Sequence, residues 1–261
     1  MRTIGTLALV AVALFHSSAE AQTITVSSAR LRAATDTARM AAFYEMEGAA
    51  DAHDRHPQDP PTSFLAARAK AQPNLAAALI ELLERENAVV AAAPKGSLSD
   101  EYLGDYYGDL EVTVARMNDP RSLNALIPGI GSSDVVRTTI AGFGEAAVAP
   151  IVAATRSTDR DERVGAVRTM QKLLADRAVR PLSGGAVSTV RETLLGILES
   201  RADAFTRVSA IEALRSLSDD GIRAEMAHIA ATDTTTGYAP PGRPTPYPVK
   251  AAAQKWLARH P

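Results

Sequence analysis

The sequence predicts an all-α chain of stacked antiparallel helix pairs, and three observations carry that reading. Alanine makes up about a fifth of the 261 residues while aromatics account for 5%. Alanine has the highest helix propensity, whereas aromatic and β-branched residues favour strands. From residue 27 onward apolar residues recur at helical spacing, and no window alternates apolar and polar residues between Asn-Gly or Asp-Gly turns. Finally, one segment repeats along the chain at offsets of 44 and 43 residues, from Arg163 to Arg207 to Lys250.

Residues 1–21 read as a secretory signal peptide. Arg2 supplies the positive start, Ile4 to Phe15 is an uncharged and mostly apolar run, and Ala19-Glu20-Ala21 places small residues where a signal peptidase reads. Cleavage is expected before Gln22, giving an exported protein, periplasmic or secreted. The run is shorter than the ~20 apolar residues a membrane span needs, and no later stretch is long and apolar enough.

Residues 22–96 form an N-terminal helical block. Met40, Phe43 and Tyr44 mark one side of a first helix, and His53 to Pro61 is a charged, proline-bearing linker. Leu75, Leu79, Leu82 and Leu83 mark the next helix, with Asn74 placed to cap it and Glu81 and Arg85 paired on its wet side. Pro94-Lys95-Gly96-Ser97 ends the block.

Residues 97–261 follow a regular plan. Leu103, Tyr107, Leu110, Val114 and Met117 form an amphipathic stripe, broken at Asn118-Asp119-Pro120. A short helix with Leu123, Leu126 and Ile127 stops at Pro128-Gly129. Helix pairs follow at 133–143 and 145–155 around Gly144, at 161–174 and 186–199, and at 204–217 and 219–231. A last helix starts near Val249, after a Pro-rich insert at 232–248.

The repeat is visible in the letters. Glu162-Arg163-Val164-Gly165-Ala166-Val167 lies over Thr206-Arg207-Val208-Ser209-Ala210-Ile211 and over Val249-Lys250-Ala251-Ala252-Ala253-Gln254. One helix pair cannot bury its apolar face alone, so it stacks on the next, and small residues such as Gly165 and Ala210 allow close approach. Asp159 precedes Arg163 by four residues and Asp203 precedes Arg207 by four. A loop Asp and a first-turn Arg suit charge-assisted bonds between repeats. On these residues the chain resembles the HEAT-repeat family in its short HEAT-like form, over about 98–260. The resemblance implies an α-solenoid whose second helices line a concave face. It places Arg121, Asn124, Arg191, Glu192, Arg223 and His228 toward a protein or peptide partner.

Other candidates come from the residues alone. The acidic, tyrosine-rich segment 100–109 puts Tyr102, Tyr106 and Asp109 on one surface, either a solvated face or a docking patch. The insert favours extended polyproline geometry, as a closing loop or a binding strap with Tyr238, Arg243 and Tyr247 as contacts. His53 and His56, among Asp51, Asp54 and Asp59, are weak metal candidates in what reads as a solvated linker.

Composition narrows function. Zero cysteine excludes disulfides, thiolate metal sites and a Cys nucleophile. A net charge of -2 gives no overall pull toward nucleic acid. No Gly-rich phosphate loop, G-x-S-x-G elbow, H-E-x-x-H or EF-hand loop occurs. The expectation is a monomeric, non-catalytic protein-binding scaffold without cofactor. The alternatives are an exported metal-dependent or other hydrolase, and a purely structural envelope protein.

Overall fold

The computed structural model describes residues 30–33, 35–54, 61–94, 96–200, 202–236 and 247–260. Among them every regular element is a helix. The expected signal peptide, His56, Tyr238 and Arg243 lie outside the described residues. Among the described residues no helix is long and apolar enough to cross a membrane.

The chain divides into two compact units, Met1–Ala125 and Leu126–Pro261. The first holds α1 (Asp36–Asp54), α2 (Pro61–Ala71), α3 (Pro73–Ala92) and α4 (Gly108–Met117), the last preceded by a π-helical segment, Glu101–Tyr107. α1 packs on α2, and α4 packs on both α2 and α3. This packing places the 97–125 segment in the first unit. Phe43, Met46, Leu65, Leu79, Leu83 and Leu110 fill this core.

Several local expectations change here. Helix α2 stands where no separate helix was expected, and α1 runs through His53 to Asp54, so the linker starts later. Helix α3 begins at Pro73 with Gln72 at the N-cap, leaving Asn74 inside the first turn. Proline suits that first position because its missing N–H would have no partner there. Glu81 accepts from Arg32, at 2.7 and 3.1 Å.

A short helix, α5 (Leu123–Leu126), leads out of the first unit. The second unit contains α6 (Asp134–Gly142), α7 (Val148–Ala154), α8 (Arg160–Ala175), α9 (Gly184–Glu199), α10 (Ala204–Ala213), α11 (Asp220–Thr232) and α12 (Pro248–Arg259). α8 packs on α6, α10 on α8, and α12 on α10, while α7 and α9 touch each other beside that row. α11 packs on α12. Helix starts follow the rule that a short polar side chain satisfies exposed N–H groups. Ser133, Asp159, Ser183, Asp203 and Asp219 each accept from a backbone N–H in the first turn of their helix.

The approach of α8 to the turn Pro128–Gly131, which leads into α6, is set by glycine. A Cβ on Gly165 would stand 2.2 Å from the Ile130 carbonyl oxygen, and one on Gly131 would stand 2.8 Å from the Asp161 carbonyl carbon. At the C-terminal end Trp256 is buried, its indole N–H donating to the Leu214 carbonyl at 3.4 Å.

Candidate functional site

The tyrosine segment comes first, because the structure overturns its expected surface. Tyr102 and Tyr106 are buried, at 5% and 0% exposure, while Leu103 is 38% exposed. The cause is the π-helical stretch Glu101–Tyr107. An i→i+5 turn takes in one more residue than an α turn, so side chains ahead of it rotate relative to those behind. The buried line becomes Tyr102, Tyr106, Leu110 and Val114.

Those phenols serve a buried ion pair. Glu86 on α3 is fully buried. It accepts from Arg39 Nε and, at 3.2 Å, from Arg39 Nη2. It also accepts from the Tyr102 hydroxyl and, at 3.2 Å, from the Tyr106 hydroxyl. A buried carboxylate is tolerated when its lone pairs are met this fully. Burial pushes both phenols well above the ordinary tyrosine range, with Glu86 adding to the shift. Tyr107 donates to Asn87 Oδ1 at 2.6 Å. This network joins α1, α3 and the π segment and uses its polar groups internally. Sequence reading missed it because Arg39 and Glu86 are 47 residues apart.

Among the other expected contacts, Arg121 and Asn124 are exposed in the first unit, and Arg121 is held by Asp119 of its own turn at 2.6 Å. Arg191 on α9 is committed to Asp219, the N-cap of α11, at 2.7 and 2.8 Å. Glu192 and Arg223 are exposed, and Tyr247 is 41% exposed at the start of α12. The side chain of His53 lies outside what is described, and among the described residues no group of three metal-ligating side chains occurs.

His228 lines a cleft of about 460 Å³ with Glu199, Arg207, Glu225, Thr232 and Asp233. Its Nε2 is 3.5 Å from the Thr232 hydroxyl. Arg207 closes the inner wall: it donates to the Leu198 carbonyl at 3.0 Å, to Thr235 Oγ1 at 2.9 Å, and meets Asp233 at 2.7 Å. Its relative in the preceding pair, Arg163, donates to the Ser157 and Thr158 carbonyls at 2.9 Å and stands 3.6 Å from Asp203. Arg137 on α6 reaches the Ile130 and Gly131 carbonyls at 3.3 Å. Asp159 stays local, accepting from the Asp161 and Glu162 N–H groups of its own helix.

A second groove, about 480 Å³, runs between α7 and α9. Val148, Ala149, Val152, Ala153 and Ala186 form its floor. At one end Glu145 accepts from the Ser183 N–H and hydroxyl at 3.1 and 2.7 Å, which holds its carboxyl below the usual range. At the other end Arg156 is exposed, and its guanidinium has no partner among the described residues. Sequence reading passed over this groove. The signal was the Val148–Ala154 run, which is apolar on more sides than one neighbouring helix can cover.

No protein family and no curated protein matches the chain.

Proposed function

We propose that the second unit is a short HEAT-like solenoid and that the protein is an exported, non-catalytic scaffold. It binds a protein partner on the face made by the second helices α7, α9 and α11. The observation that carries this reading is the open groove between α7 and α9, where Ala149 and Ala153 are exposed and Val152 is half-buried. Apolar residues left open on a folded surface mark interaction sites more often than isolated ones do. The serial packing of α6, α8, α10 and α12 supports the repeat reading, since each pair covers the apolar face of the one before. The first-turn arginines Arg137, Arg163 and Arg207 support it as well, Arg137 and Arg163 donating to carbonyls of the turn before their own helix and Arg207 to the Leu198 carbonyl in the last turn of α9. Export rests on the leader-like composition of residues 1–21.

The test is capture from envelope extract by the chain starting at Gln22, read by mass spectrometry, beside a Val152→Arg variant. A specific protein retained by the parent and lost by the variant supports the scaffold. Equal capture by both, or none by either, overturns it. N-terminal sequencing of the exported protein tests the leader, with Gln22 expected first.

A further inference from the structure

The groove between α7 and α9 carries an exposed cation at one end. Glu145 is already matched by Ser183 and by the N-terminus of α9, where helix dipole and N–H groups favour an anion. Arg156 stands just past the C-terminus of α7 with its guanidinium unpartnered among the described residues. Between these ends the floor is small and apolar, and Ala149 and Ala153 are exposed at an i,i+4 spacing that leaves room for another helix to lie close. The distance along α7 from Glu145 to Arg156 is about 16 Å, roughly three turns of a partner helix.

We infer that the groove takes an amphipathic helix of the partner, with an apolar face toward Val148 and Val152 and an acidic residue against Arg156. The inference rests on the scaffold reading above and names the chemistry of its partner. Direction follows from helix electrostatics. Acidic residues are favoured in a helix's first turn, so the partner's N-terminal turn lies at Arg156 and its chain runs opposite to α7. Helix-in-groove docking of this kind is read through apolar anchors three and four residues apart.

The probes are synthetic peptides with an Ala/Leu face, acetylated and amidated so that terminal charges are absent. One carries glutamates in its first turn, one of the same composition carries them in its last turn, and one has glutamine in their place. Binding to the chain from Gln22 is read by fluorescence anisotropy. The first peptide is expected to bind about twofold to fivefold tighter than the other two, the scale of an exposed ion pair. Arg156→Gln should erase that preference, and Ala153→Arg should weaken all three, with unchanged circular dichroism in both variants. Ala153 and Arg156 are exposed, so neither substitution touches the core. The proposal is overturned if no peptide binds, if all bind equally, or if the preference survives Arg156→Gln. If no peptide binds but envelope capture is still lost with Val152→Arg, the partner chemistry is wrong and the scaffold stands. If both fail, the scaffold falls too.

Discussion

Arg191 on α9 grips Asp219, the N-cap of α11, through two parallel bonds of 2.7 and 2.8 Å. The Arg191 guanidinium, joined by the Ile222 N–H, holds the Asp219 carboxyl down to about 2. One carboxylate therefore starts a helix and ties it to the previous pair. Gly221 permits the arrangement, because a Cβ there would stand 2.6 Å from Arg191 Nη2.

Acid should expose this link. A carboxyl depressed in the folded state contributes stability above its unfolded pKa of about 3.9, and that contribution fades as pH falls through about 2. Arg191→Ala should lower stability near neutral pH by about 0.5–1 kcal/mol, a modest figure because Asp219 is 44% exposed. The gap between parent and variant unfolding midpoints should narrow between about pH 4 and pH 2. A gap that is constant with pH would mean that the link does not set the Asp219 titration.

Burial separates Arg207 from its counterpart Arg163. The Arg207 and Asp233 side chains are 11% and 8% exposed, against 25% and 35% for Arg163 and Asp203. Arg207→Ala leaves a buried carboxylate without its cation and should cost about 3–5 kcal/mol, whereas Arg163→Ala should cost about 1 kcal/mol or less. Urea unfolding decides it, and equal losses would contradict the distinction.

Glu86 is the corresponding point of the first unit. Glu86→Ala strands the buried Arg39 and two phenols and should destabilise by about 3–5 kcal/mol. Tyr102→Phe removes one bond and should cost about 1–2 kcal/mol. A loss below about 1 kcal/mol for Glu86→Ala would show that the network relaxes without it.

Two glycines in helices should respond with opposite signs. Gly165→Ala drives a methyl against the Ile130 carbonyl and should cost about 1–3 kcal/mol or more. Gly196 in α9 has nothing within 4 Å of an added Cβ, so Gly196→Ala should stabilise by about 0.5–1 kcal/mol. Thermal melts of both variants decide it, and a neutral Gly165→Ala would contradict the close approach of α8 to the turn Pro128–Gly131.

Alkali should unfold the first unit through its tyrosines. Burial, with Asp109 and Asp105 close by, lifts Tyr44 to about 12, and burial lifts Tyr102, Tyr106 and Tyr107 further. A phenol raised in the folded state contributes stability that is whole below its unfolded pKa of about 10 and is lost as pH rises through the folded value. Phenolate absorbance should lag that of free tyrosine and then rise together with loss of helix. Independent titration near the free value, with helix retained, would contradict the burial.

Local rules made much of this protein legible in its letters. Helical spacing located α1, α3 and the pairs from α6 to α11, because a helix's buried face depends on residues three and four apart. The repeated first-turn arginine was visible for the same reason, its place being fixed relative to the helix start. Cap assignment was less secure, as Asn74 shows: Pro73 suits the first helical position, and that moved the start.

Tertiary structure decided the partners. The repeat marks the Asp and Arg positions that meet as Arg163 and Asp203, but Glu86 meets Arg39 only because separate helices bring them together, and no local period encodes that pair. The same holds for the tyrosines, which meet Glu86 of α3 from a π segment, and for the groove beside Arg156, which exists only where α7 and α9 converge. Backbone periodicity acts over a few residues and can be read along the chain. Ion pairing and groove formation act through space, so the fold must exist before the partners are chosen.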